Sequence, residues 1–89
     1  MSEYTRLARA IIESMESIIG PVARTQANNV EGLRVNNKVT IDGDPQTTIK
    51  KLIEKYCSLM GPVAITIAKK GARQIMEKNP KLKVLKELR

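Results

Sequence analysis

The chain has no histidine, no tryptophan and no phenylalanine, and only one cysteine and two tyrosines among its 89 residues. Without histidine it lacks the usual general base and the commonest metal ligand, and no Ser-His or Cys-His pair can be assembled. With Cys57 alone no internal disulfide can form, a usage that fits a reducing cytoplasm. An enzyme is therefore not expected, nor a metal or a cofactor. The near absence of aromatics leaves Ile, Leu, Val, Met and Ala to build the core, which suits closely packed helices, and removes the stacking platforms that single-stranded nucleic acids use. Long apolar runs are missing too. The longest, residues 59–68, is interrupted by Gly-Pro and is too short to cross a bilayer. Residues 1–19 are amphipathic rather than uniformly apolar, so no secretory signal is expected.

What the chain does have is a tetrapeptide used twice. Gly20-Pro21-Val22-Ala23 recurs as Gly61-Pro62-Val63-Ala64. A shift of 41 residues also brings Ile12, Glu13, Ser17, Thr25 and Ala27 onto Ile53, Glu54, Ser58, Thr66 and Ala68. Nine of twenty residues over 8–27 are identical. The physical reading is one supersecondary unit used twice, as internal repeats 8–31 and 49–72 within a single domain, 1–89, joined by a connector, 32–44. Glycine at a left-handed helix end, followed by proline in the first turn of the next helix, punctuates two helices. The residue before proline is also driven out of the helical region. Each unit thus reads as helix, sharp corner, helix, with one long kinked helix as the alternative. A phosphate-binding loop would need several glycines and a Lys-Ser/Thr pair, which neither corner has.

Taken in order, residues 3–19 carry an apolar stripe of Leu7, Ile11, Met15 and Ile18, flanked by Ala8, Ile12 and Ile19, and read as a helix. Residues 21–31 form a shorter, more polar copy, expected to lie outside. The connector alternates Leu-Arg-Val, turns at Asn36-Asn37-Lys38 and alternates Val-Thr-Ile, which reads as a β-hairpin or as an irregular loop. Asp44 is a good N-cap before Pro45, and Ile49, Leu52, Ile53, Tyr56 and Met60 form the apolar face of the helix that follows. Cys57 beside that face reads as a core filler. A fourth helix spans 62–78 and a short fifth spans 80–88. The expected fold class is all-α, with a short hairpin at 33–41 as an option.

The net charge of +7 lies entirely in the second half, because residues 1–43 carry five cations and five anions. Lys69, Lys70, Arg73, Lys78, Lys81 and Lys83 are therefore the candidate contacts for an anion or a nucleic acid, through counterion release from phosphates. The plainer reading is that these cations solvate amphipathic helices. A helix-turn-helix is formally available twice, but Gly-Pro is not its usual turn.

Leu59-Met60-Gly61-Pro62-Val63-Ala64, followed by Ile67, Lys69, Lys70 and Ala72, resembles the small helical domain at the C-terminal end of some bacterial serine/threonine kinases and related signalling proteins. This chain departs from that pattern in carrying two copies and no kinase or sensor domain. The resemblance implies a helical protein-interaction module in signalling and no catalytic residue. The expected function is accordingly a non-enzymatic interaction or regulatory module. A basic DNA- or RNA-binding protein using helices 62–78 and 80–88 is the alternative. A core this small seldom supplies more than about 3–5 kcal/mol, so a homodimer is expected. Its candidate contacts are Val35, Val39, Ile41, Leu82, Leu85 and Leu88. The competing arrangement folds the last helix back to close a monomeric core.

Overall fold

The computed structural model describes residues 3–36 and 38–79. The chain is a mostly all-α fold: α1 (Glu3–Ile19), α2 (Val22–Asn28), β1 (Leu33–Val35), β2 (Val39–Ile41), α3 (Pro45–Met60) and α4 (Val63–Lys78). The connector is thus a hairpin, antiparallel, pairing Leu33 with Ile41, Arg34 with Thr40 and Val35 with Val39. The expected helix at 80–88, with Lys81, Lys83, Leu82, Leu85 and Leu88, lies outside the described residues.

The aliphatic stripes do what their spacing requires. Leu7, Ile11, Ile12 and Met15 of α1 meet Ile49, Leu52, Ile53 and Tyr56 of α3 in one core, and Ala23, Ala27, Ala64, Ala68 and Ala72 complete it. The alanines are spaced by four residues along α2 and α4, so each helix presents a smooth, small-residue face. α4 packs along α1, and α2 packs on α3. Under the 41-residue shift these two contacts exchange, as they would about an internal two-fold axis. α1 and α4 run antiparallel, since Asn79 Nδ2 donates to Glu3 Oε2 across 2.9 Å, while Gly71 sits against Ala10 and Ser14.

α3 begins where the sequence places it. Asp44 accepts hydrogen bonds from the Thr47 amide (3.1 Å) and hydroxyl, and Thr48 Oγ1 donates to the Asp44 carbonyl at 3.0 Å. The hydrogen bonds from the Thr47 hydroxyl and then its amide hold the Asp44 carboxyl below its ordinary range.

Three expectations need correcting. First, α2 ends at Asn28 rather than near residue 31, because its last amides bond in a tighter spacing (Asn29 N to Gln26 O, Val30 N to Ala27 O) that turns Val30 into the core. Second, the polar side chains of α2 do not simply face water. The Asn28 amide brackets the backbone of Val35, donating to its carbonyl (2.6 Å) and accepting from its N–H (2.7 Å), and Arg24 bridges Glu16 (2.8 Å) and the Asn36 carbonyl (3.3 Å). Polarity at those positions is how α2 holds β1. Third, Val35 and Val39 are only 6% and 9% exposed, and Ile41 packs partly buried against the same core. The hairpin covers the chain's own helices, so the central segment is not the apolar excess from which a dimer contact was expected.

Two predictions test the packing. A Cβ on Gly71 would lie 2.8 Å from the Ala10 carbonyl oxygen and meet the Ser14 side chain. Gly71→Ala should therefore lower stability by about 1–3 kcal/mol through overpacking, against the ordinary gain of up to ~1 kcal/mol for alanine in a helix. Urea denaturation followed by circular dichroism decides the sign. Tyr56 is fully buried and its hydroxyl donates to the Ala23 carbonyl at 2.7 Å. Burial, reinforced by the Glu16 charge, raises its phenol above the ordinary value of 10.0. A raised acid holds its proton more tightly when folded, so this contribution is intact below about pH 10 and is lost as pH rises beyond it. Tyr56→Phe should cost about 1–2 kcal/mol at pH 8 and should flatten the loss of urea midpoint between pH 9 and pH 11 relative to the parent.

Candidate interaction surfaces

The two Gly-Pro corners are built alike, from the backbone up. The amide of Gly20 donates to the Glu16 carbonyl (2.9 Å) and that of Gly61 to the Cys57 carbonyl (2.8 Å). Ala23 N then reaches Gly20 O at 3.0 Å, and Ala64 N reaches Gly61 O at 3.1 Å. Pro21 (φ −58°, ψ −20°) and Pro62 (φ −60°, ψ −19°) enter the next helix with the same torsions. The glycines have φ of +74° and +77°. For Gly61, ψ is −165°, so the positive φ is as expected but the residue is not in the left-handed helical basin. It occupies a region that is essentially glycine's alone.

The corners also share their surface chemistry. Among the described residues the exposed large hydrophobics are Ile18 (58%), Val22 (42%), Leu59 (50%) and Val63 (51%). They form two pairs under the 41-residue shift. Ile18 was expected in the core stripe of α1. Its angular position fits that stripe, yet it is exposed, while Ile19 in the same turn packs against the core. All four side chains lie at one end of the molecule. Val63 precedes Gly71 by eight residues and Ile18 follows Ala10 by eight, so in the antiparallel α1–α4 pair both lie about 12 Å along from the Gly71–Ala10 contact. The Tyr56–Ala23 hydrogen bond ties the last turns of α3 to the start of α2, the stretches that carry Leu59 and Val22. Residues 17–23 and 58–68 contain no charged side chain.

The basic face is separate. Lys69, Lys70, Arg73 and Lys78 are all exposed on α4, and none makes an ion pair among the described residues. Lys81 and Lys83 lie outside the described residues. A third feature is a cavity of about 60 Å³ between α1, α2 and the hairpin, lined in part by Arg9, Arg24 and Lys38. Two of these cations are already engaged, Arg9 with Glu13 at 3.8 Å and Arg24 with Glu16. The Glu16 partnership also raises the Arg24 guanidinium further above its ordinary value. Arg24–Glu16 joins α2 to α1 across this seam, while Arg9–Glu13 lies within α1.

Cys57 is half-buried against the core. Among the described residues no group of acidic, cysteine or histidine side chains is arranged to hold a metal ion, and no helix is long and apolar enough to cross a membrane. Compared with known family models, curated proteins and solved structures, the chain matches none.

The corner geometry carries a prediction of its own. A Cβ on Gly61 would meet nothing within 4 Å, so any penalty for a side chain there is purely one of backbone conformation. Gly61→Ala should lower stability by about 1–3 kcal/mol and leave helix content unchanged. A thermal melt equal to the parent's would show that the corner tolerates a side chain.

Proposed function

We propose that this chain is a non-enzymatic helical interaction module that docks protein partners through its paired corners, in the reducing cytoplasm where Cys57 stays a thiol. One observation carries this reading: every exposed large hydrophobic among the described residues sits at a corner, in repeat-related pairs. The largest apolar patch of a small domain is often its functional surface, and here that patch gathers at one end. Placement in signalling follows from the likeness of residues 59–72 to the helical domain of bacterial kinases.

A second reading rests on the unpaired cations of α4. Lys69, Lys70, Arg73 and Lys78 could neutralise phosphates along a nucleic acid, and the hairpin and corners would then only shape the scaffold.

A single experiment separates the two. A photo-reactive amino acid replaces Val63 at the corner or Gln74 on the exposed face of α4, and adducts formed in living cells are identified by mass spectrometry. The expected result is protein adducts from position 63 in excess over position 74. Nucleic-acid adducts from position 74, lost with Lys69→Glu, Lys70→Glu and Arg73→Glu, would replace the first reading by the second. No protein adduct at position 63 would end the first reading.

A further inference from the structure

We infer that the corner face docks a second copy of this chain, as a weak two-fold dimer. The inference rests on the reading of the corners as a contact surface and adds the occupant.

Charge is the first argument. Each chain carries a net charge of +7, so two copies repel wherever their basic faces approach. On α3, Lys50, Lys51 and Lys55 outnumber Glu54; on α4, Lys69, Lys70, Arg73 and Lys78 outnumber Glu77. The corners are the exception, because residues 17–23 and 58–68 contain no charge. Uncharged segments on an otherwise cationic chain are where like can meet like at least cost, whereas an acidic partner would be drawn to the lysines of α3 and α4 instead.

Symmetry is the second argument. A two-fold dimer needs one patch that is complementary to itself. The corner face already contains two near-copies of one surface, Ile18 with Val22 and Leu59 with Val63, at one end of the molecule. Rotating a second chain onto that end sets Ile18 and Val22 of one copy against Leu59 and Val63 of the other, twice over. The rim on both sides is hydroxyl-bearing, with Ser17, Ser58, Thr25 and Thr66 exposed, and can stay hydrated without stranding a charge.

Area sets the strength. Four side chains about half exposed offer roughly 300 Å² of apolar surface, below the ~800 Å² per partner of a stable complex. The dimer is therefore dilute-labile, populated at high concentration or when the chain is tethered to other domains that raise its local concentration.

The test is the solution mass of the full chain by light scattering, from about 10 μM to about 1 mM, at low and high salt. The mass should rise from 9.9 kDa toward twice that value with concentration. It should rise further with salt, because screening relieves like-charge repulsion. Ile18→Lys with Leu59→Lys should reduce the association constant at least about tenfold. Both positions are exposed, so the variant should keep the parent's helical signal and melting temperature; a variant that fails to fold is replaced by Val22→Ser with Val63→Ser. A monomer mass throughout overturns the proposal, as does a dimer unmoved by the corner lysines but dissociated by Leu85→Asp. Adducts at position 63 with other proteins only, together with a monomer mass, would remove self-docking and leave the interaction reading standing. No adducts and a monomer mass would remove both.

Discussion

The fold depends on how closely α4 can approach α1. Ala64, Ala68 and Ala72, all fully buried, and Gly71 against Ala10 and Ser14, make a seam with almost no side-chain thickness. Close approach of this kind brings backbones into dispersion contact along many atoms. It also explains how a chain without Phe or Trp closes a core. With no large ring to fill space, the space itself has to be small. Leu7, Ile11, Ile12 and Met15 then reach Leu52, Ile53 and Tyr56 across a narrow interior. Tyr56 is the one fully buried aromatic among the described residues, and its hydroxyl is spent on the Ala23 carbonyl, so that no buried polar side-chain atom is left without a partner among the described residues.

The two units use one plan for different ends. In the first, the helix after the corner is short and polar because Arg24 and Asn28 reach the hairpin that follows. In the second, the matching positions are Ile65 and Lys69, and the helix runs on to Lys78 along the full length of α1. The hairpin contributes Leu33, Val35 and Val39 to the core and would be barely stable without the helices beneath it. One copy therefore anchors a β-ribbon, and the other supplies the long helix that closes the bundle.

Much of this was legible in the residues. Gly-Pro between apolar stripes located both corners, Asp44-Pro45 located the start of α3, and period-two alternation on each side of Asn36 and Lys38 pointed to the hairpin, with a loop as the alternative. What stayed hidden has physical causes. Helical periodicity says which face a residue occupies but not which side of the helix end the neighbours cover, so Ile18 read as core and is exposed, while Ile19 packs against the core. The grip of Asn28 on Val35 is a side chain replacing a strand partner across seven residues, which no local pattern encodes. The burial of Val35 and Val39 depended on which helices lay beneath the hairpin, a matter of topology. For the surfaces, counting placed the excess charge in the second half, but no local pattern showed that both corners would lie at one end.

The repeat also separates what folding demands from what it does not. Where the two copies face different neighbours in the core they diverge: Ala8 against Ile49, Met15 against Tyr56. Those changes follow volume, because each site fills a different space. At the corners the demand of folding is met by Gly-Pro alone, through a backbone conformation that glycine permits and a torsion that proline fixes. The positions around it, 17, 18 and 22 in one copy and 58, 59 and 63 in the other, are exposed and less constrained by packing than the core. Serine or lysine would serve as well at 18, 22, 59 and 63 for the fold, and more cheaply in water. They hold Ile and Val in one copy and Leu and Val in the other, with serine at 17 and 58 in both. An apolar side chain at these four exposed sites is not something the core requires, and that is the support it lends the proposed contact surface.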